Sequence, residues 1–277
     1  MLGARPKTLA AAVAPVLVAT AYAGSNYSLY KAIAALILSL ALQIGVNYAN
    51  DYSDGIRGTD TNRLGPVRLV ASALIPAHLV KRAANISFFI AIIFGSYLAL
   101  TTSLWLFPIG FAALVAAWQY TGGKNPYGYL GFGEVSVFVF FGLVATVGSY
   151  FVQSEEIDLQ ITLYGVAMGS LACCILLLNN IRDRSTDLLS GKKTLSVRIG
   201  LLPSKALYTF FLFISLLIFL TGPALPFNFF ILALAPLFLS LRALIKEGEL
   251  VRALERTGKL QLLYALTLSV ALILASL

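Results

Sequence analysis

Residues 30–60 read YKAIAALILSLALQIGVNYANDYSDGIRGTD, and the fold follows from how this stretch changes character along its length. Up to Val46 its only charge is Lys31; then Asn47, Asn50, Asp51, Asp54 and Asp60 arrive in close succession. About 20 apolar residues cross a bilayer. Residues 30–51 are therefore predicted to form a transmembrane helix whose end is crowded with oxygen donors.

The rest of the chain repeats the pattern. Of its 277 residues 59% are hydrophobic and 12% charged, against roughly 25% charged in soluble domains, which excludes an ordinary soluble fold. Apolar stretches separated by charged or Gly/Pro-rich breaks predict about nine helices, near 8–23, 30–51, 83–101, 103–120, 131–152, 161–181, 205–221, 224–244 and 258–276. Arg5 and Lys7 ahead of the first stretch resemble the start of a signal peptide, but eight more stretches follow, so it is expected to be a retained span. Cys173 and Cys174 are adjacent within an apolar segment and point in different directions on a helix. They read as packing or lipid-facing residues, not a disulfide or metal site.

The net charge of +8 does not indicate a nucleic-acid partner. With loops assigned alternately to two sides, 19 of the 20 Lys and Arg fall on one side, Lys31 being the exception. That bias predicts a multi-pass protein of the bacterial inner (plasma) membrane, with the N-terminus and polar loops cytoplasmic and the C-terminus outside. Glu155, Glu156 and Asp158 are nearly the only charges on the other side.

A second polar segment, Asn179-Asn-Ile-Arg-Asp-Arg-Ser-Thr-Asp187, ends the sixth predicted span as the first ends the second. Asn50 and Asn180 lie about half a chain apart, which suggests two four-helix halves plus a ninth helix. Each half holds an even number of spans, so both enter from the same side as a parallel repeat, and the two polar segments would face one cavity. No linker divides the chain, and 1–277 is expected to be a single all-α transmembrane domain around that central cavity.

Asn179, Asp183 and Asp187 are spaced by four, so a continued helix would line up their oxygens. Asn47, Asp51 and Asp54 follow a similar stripe, with Asp60 beyond the Gly55 and Gly58 breaks. Carboxylates without His or Cys favour Mg²⁺ over zinc; spacing alone leaves open which of them ligate it. Two facing acidic clusters would repel unless cations and an anionic ligand bridged them, and a diphosphate with Mg²⁺ is the natural bridge. The plain alternative is that the acids sit in solvated loops and pair with Arg57, Arg63, Arg182 and Arg184. It explains one cluster, but two at the ends of transmembrane spans, where ionisable groups are costly, favour a functional site.

Between the clusters runs Tyr120-Thr-Gly-Gly-Lys-Asn-Pro-Tyr-Gly-Tyr-Leu-Gly-Phe-Gly-Glu134, where glycines permit close backbone approach and Lys124 offers a point charge to phosphate. A tight helix connection is the competing explanation of this loop. Glu134 opens the fifth span, as an interfacial acid or a group that orients a second substrate. Arg68 stands beside the first cluster and Lys192 and Lys193 beside the second, able to offset diphosphate charge, although basic residues also serve topology.

At these residues the sequence resembles the UbiA superfamily of intramembrane aromatic prenyltransferases. Asn-Asp-Tyr-Ser-Asp-Gly-Ile-Arg-Gly-Thr-Asp at 50–60, Tyr-Thr-Gly-Gly at 120–123, and Asn-Asn-Ile-Arg-Asp with Asp187, Gly191, Lys192 and Thr194 look like its 1,4-dihydroxy-2-naphthoate branch. The likeness runs from Gly3-Ala-Arg-Pro-Lys-Thr-Leu9 to Arg256-Thr-Gly258. In the 4-hydroxybenzoate branch three positions separate the last two motif residues, whereas Asp54 and Asp60 have five between them, which favours the naphthoate acceptor. Lys124 departs from many members of the branch.

The resemblance implies lateral access for a prenyl tail. It also implies that Asp54, Asp60, Asp183 and Asp187 with Asn50 hold Mg²⁺ and a prenyl diphosphate. Tyr120, Lys124, Arg68 and Lys192 are then the candidate catalytic groups, and Asn47, Asn50, Asp51, Arg63, Asn180 and Glu134 the candidate substrate contacts. The implied reaction is prenyl transfer to dihydroxynaphthoate with loss of CO₂, giving demethylmenaquinone. The rivals are another acceptor such as 4-hydroxybenzoate, alcohol phosphotransfer to lipid, whose single acidic run is missing from the sequence, and a cation-coupled transporter, which would place its acids nearer midspan.

Overall fold

The computed structural model describes residues 2–59, 67–223, 239–242, 245 and 248–276. The described chain is helical: α1 (Ala10–Tyr22), α2 (Leu29–Arg57), α3 (Ala77–Thr101), α4 (Leu106–Gln119), α5 (Gly133–Ser154), α6 (Leu159–Leu189), the short α7 (Leu195–Ile199), α8 (Leu201–Phe219) and α9 (Leu250–Ser276). Among the described residues α2, α3, α5, α6, α8 and α9 are long and apolar enough to cross a membrane, while α1 and α4 are shorter apolar helices. Eight predicted spans coincide with helices; most of the remaining one, 224–244, lies outside the described residues.

The main difference from the sequence reading is length. The predicted ends at 51 and 181 gave way to Arg57 and Leu189, because Asn and Asp at helical spacing do not break a helix, and Gly55, expected to break α2, continues it. α2 stops only at Gly58, whose φ of 72° closes it in the left-handed region. The 31 residues of α6 extend about 46 Å at ~1.5 Å per residue, against ~30 Å of hydrocarbon. Its last turns, with Asp183 and Asp187, thus continue as helix beyond the length that a perpendicular crossing needs. α3 starts at Ala77, earlier than the predicted 83, where Pro76 ends the preceding loop.

α6 is the central helix and packs on α8, α9, α1 and α5. Tyr164, Met168, Leu171, Tyr208 and Tyr264 are fully buried in the core between them. Each buried phenol there needs a partner: Tyr208 shares a hydrogen bond with Thr257 at 2.8 Å and Tyr264 donates to the Ser215 carbonyl at 2.9 Å. Cys173 and Cys174 are buried free thiols in the α6 packing.

α5 and α6 touch through glycine. A Cβ on Gly142 would stand 2.5 Å from Gly169 Cα, and one on Gly169 would stand 2.8 Å from the Phe138 carbonyl, the backbone approach that small residues permit between membrane helices. Around Gly142 α5 widens into a π-helix over Phe138–Val144. On the opposite flank α4 packs on α3 and α2. A cavity of about 1030 Å³ lies between these layers, walled by apolar side chains including Phe107, Phe111, Phe140, Phe141 and Phe151.

Candidate active site

Asn47, Asn50 and Asn179, from the polar ends of α2 and α6, line this cavity together with Tyr120. Asn47 donates to the Ala4 carbonyl at 2.9 Å and to Thr8 at 3.2 Å, tying α2 to the segment ahead of α1. One turn on, the Asn50 side-chain oxygen accepts the Thr121 hydroxyl at 2.7 Å. The Asn179 amide donates to the Ile175 carbonyl at 3.0 Å.

Beyond Asn50, the buried Asp54 carboxylate accepts from Lys192 Nζ at 2.9 Å and from the Tyr129 hydroxyl at 2.5 Å. Lys192 follows α6, so this contact brings the ends of the two polar segments together. Its backbone N–H donates to the Asp187 carbonyl at 2.9 Å, and its ammonium lies 4.7 Å from the Tyr129 ring centroid. The Arg57 guanidinium stacks on that ring and donates to the Thr121 and Gly123 carbonyls. It therefore secures the glycine loop and makes no ion pair with an acid among the described residues. Burial, followed by the negative charge of Asp54, pushes the Tyr129 phenol above its ordinary pKa and keeps it a donor.

The other acids are placed differently. Asp51 is buried, and its carboxylate accepts the backbone N–H groups of Leu69 at 3.0 Å and Val70 at 3.1 Å. It thus holds the turn that follows Arg68, itself buried, and does not line the cavity. Asp183 is buried against Arg182 at 2.7 Å, while Asp187 is half-buried. Glu134 is buried at the start of α5; its Oε1 accepts the Asn180 amide at 2.8 Å and its Oε2 has no partner among the described residues. Lys124 is exposed in the loop with no ion pair among the described residues. Asp60 and Arg63 lie outside the described residues.

Loop packing sets the register of these groups. Gly128 N–H donates to the Tyr120 carbonyl at 3.0 Å, and a Cβ on Gly128 would strike that oxygen at 2.5 Å. The closed loop delivers Tyr129 to Asp54 and Thr121 to Asn50. The next strap is Lys193 N–H to the Tyr129 carbonyl at 2.9 Å. Tyr129 and Thr121 were not singled out from sequence, although both stand in the quoted glycine loop; their contacts span 75 and 71 positions and carry no local spacing signal.

The donor set is all hard oxygen: Asp54, Asp183 and Asp187 with Asn50, Asn179 and Asn180. No group of three or more His, Cys, Asp or Glu converges on a metal position among the described residues. Mg²⁺ commonly takes only one or two protein carboxylates and completes its shell with water and phosphate oxygens, so the residues present fit a metal that arrives with a phosphorylated ligand.

Residues 12–256 match the model of the UbiA prenyltransferase family. The 1,4-dihydroxy-2-naphthoate octaprenyltransferase of Mycobacterium tuberculosis is 44% identical over 98% of this chain and 95% of its own length. Two solved structures share the fold at 14% identity: an apo UbiA homolog from Aeropyrum pernix K1, TM-score 0.75, covering 98% of each chain, and a UbiA homolog from Archaeoglobus fulgidus bound to GPP and Mg²⁺, TM-score 0.64, covering 98% of this chain and 97% of the other.

Proposed function

We propose that this chain, which belongs to the UbiA prenyltransferase family, transfers a polyprenyl group from its diphosphate to 1,4-dihydroxy-2-naphthoate, with loss of the ring carboxylate as CO₂, to give demethylmenaquinone in menaquinone biosynthesis. The observation that carries the reading is the contact between Lys192 and Asp54, one helical turn beyond Asn50, which lines an apolar cavity of about 1030 Å³. Charged groups from both halves of the chain meet there, beside a space suited to a hydrocarbon tail.

In this reading Asp54, Asp60, Asp183 and Asp187 hold Mg²⁺ with the diphosphate, assisted by Asn50. Bound Mg²⁺ supplies Lewis-acid neutralisation of the leaving-group charge. Lys192 adds a cation at the same end, and Tyr129 keeps Asp54 oriented. The allylic C–O bond breaks, diphosphate leaves with the electron pair, and the ring carbon bonds to the prenyl carbon as CO₂ departs. The apolar walls exclude water, which would otherwise capture the allylic cation. No protein nucleophile is required.

Orientation belongs to the same proposal: the bias of Lys and Arg puts the Asp54 end on the cytoplasmic face of the bacterial inner membrane. The test is mass spectrometry of products formed by purified protein with Mg²⁺ and a prenyl diphosphate, offered dihydroxynaphthoate and 4-hydroxybenzoate together. A prenylated naphthoquinol lacking the carboxylate is expected. Prenylated hydroxybenzoate would retain the chemistry and overturn the acceptor.

A further inference from the structure

The cavity wall is mostly apolar, with hydroxyl and amide side chains such as Tyr120, Ser136 and Asn179 at intervals and the densest run of polar groups along one corner. There α2 presents Ser39, Gln43, Asn47 and Asn50 at successive turns opposite Thr8 and Arg5, and Arg5 is the only charged side chain among the described residues that line the cavity. The cation is delivered by an unusual backbone: Arg5 has φ 49°, in the left-handed region, which non-glycine residues adopt at some cost. The turn is locked by its carbonyl, which accepts the Thr8 N–H at 2.9 Å and the Thr8 hydroxyl at 3.0 Å.

The neutral groups around Arg5 are occupied with one another. The Gln43 amide donates to Thr8 at 3.1 Å, and the Asn47 amide donates to Thr8 and Ala4. The one hydrogen bond Arg5 makes to a described residue is long, 3.4 Å from Nη2 to the Asn47 carbonyl. A guanidinium carries five donors, and at an apolar wall its charge calls for an anion. Lys192, by contrast, is already on Asp54 and Arg182 on Asp183.

From these observations we propose that Arg5 is the receptor for the carboxylate of the aromatic acceptor, gripping it through the planar fork that suits a carboxylate. The inference rests on the reading that the acceptor is an aromatic acid. Arg5 touches Asn47, roughly one helical turn of ~5.4 Å from Asn50. The carboxylate, and with it the ring carbon that takes the prenyl group as CO₂ leaves, thus sits on the Asn47 side of Asn50, deeper than the diphosphate. Arg5 selects acids over neutral phenols of the same ring size.

The test measures equilibrium binding of a matched pair, 1-hydroxy-2-naphthoate and 1-naphthol, to the full-length protein in detergent, with prenyl diphosphate plus Mg²⁺ as a third ligand. The wild type is expected to favour the acid by about tenfold or more, and R5Q to bring the ratio near one while prenyl diphosphate affinity stays within about twofold. R5K keeps the charge but not the fork, and an intermediate ratio is expected; it carries the test if R5Q does not fold. An unchanged ratio in R5Q or in a folded R5K overturns the assignment, as does a loss confined to prenyl diphosphate, which would put Arg5 on the leaving group. Failure of the wild type to bind either aromatic overturns the acceptor reading itself, and with it this inference.

Discussion

Lys192 Nζ stands 2.9 Å from Asp54 Oδ2, joining positions 138 apart in sequence. Both side chains are buried. Breaking a buried pair from one side typically costs about 3–5 kcal/mol because the remaining charge is stranded. Lys192→Met is therefore expected to lower kcat/KM by about 10²-fold or more, with a raised KM for prenyl diphosphate. Steady-state kinetics with both substrates varied would show it; an unchanged KM for prenyl diphosphate would remove Lys192 from that site.

Asp54→Asn and Asp183→Asn keep side-chain volume and remove charge. Each is expected to reduce turnover by about 10³-fold or more while the protein still purifies as a folded species, as expected for loss of an electrostatic anchor of the leaving group. Near-normal activity in either folded variant would disprove its assignment as a metal ligand.

Tyr129→Phe deletes the 2.5 Å hydrogen bond to Asp54 but keeps the ring on which Arg57 and Lys192 stack. A hydrogen bond to a charged group contributes about 1.5–3 kcal/mol, so kcat/KM should fall by about 10- to 100-fold. Tyr129→Ala should cost more, because it also removes the stacking surface. Equal kinetics in the two variants would show that the hydroxyl alone matters.

Chelation should abolish activity, and Mg²⁺ should restore it better than Zn²⁺, since the donors are carboxylate and amide oxygens without His or Cys. Activity that persists through exhaustive dialysis against EDTA would contradict the metal requirement.

Gly169→Ala is expected to lower thermal stability by about 1–3 kcal/mol through overpacking, because its new methyl meets the Phe138 carbonyl at 2.8 Å. Gly148→Ala serves as the control, as its Cβ would meet nothing within 4 Å. Thermal denaturation in detergent compares the two. Matched midpoints would mean that the α5–α6 contact yields more readily than its backbone spacing implies.

The elements most legible in sequence were those with a local signal. Apolar length located α2, α3, α5 and α6, and four-residue spacing put Asn179, Asp183 and Asp187 along a single helix. The same spacing could not say that Asp51 turns to the backbone of Leu69 and Val70 while Asp54 turns to Lys192, because that depends on where distant loops return. The roles of Tyr129, Thr121 and Arg57 were hidden for the same reason: they arise when a glycine loop closes on itself and delivers side chains across more than 60 positions. Helix ends were underestimated at α2 and α6, since a hydropathy reading stops where charge begins, whereas hydrogen-bonded backbone continues until a breaker such as Gly58.

Because α2 and α6 run unbroken for 29 and 31 residues, bilayer thickness bears on how they sit in a membrane. Asp183 and Asp187 are built into one continuous helix, so a thinner or thicker membrane is expected to be met by tilt of that helix, with the spacing of the two acids kept. On the proposed reaction, helix length would then set the level at which a prenyl tail and its diphosphate head meet the acids.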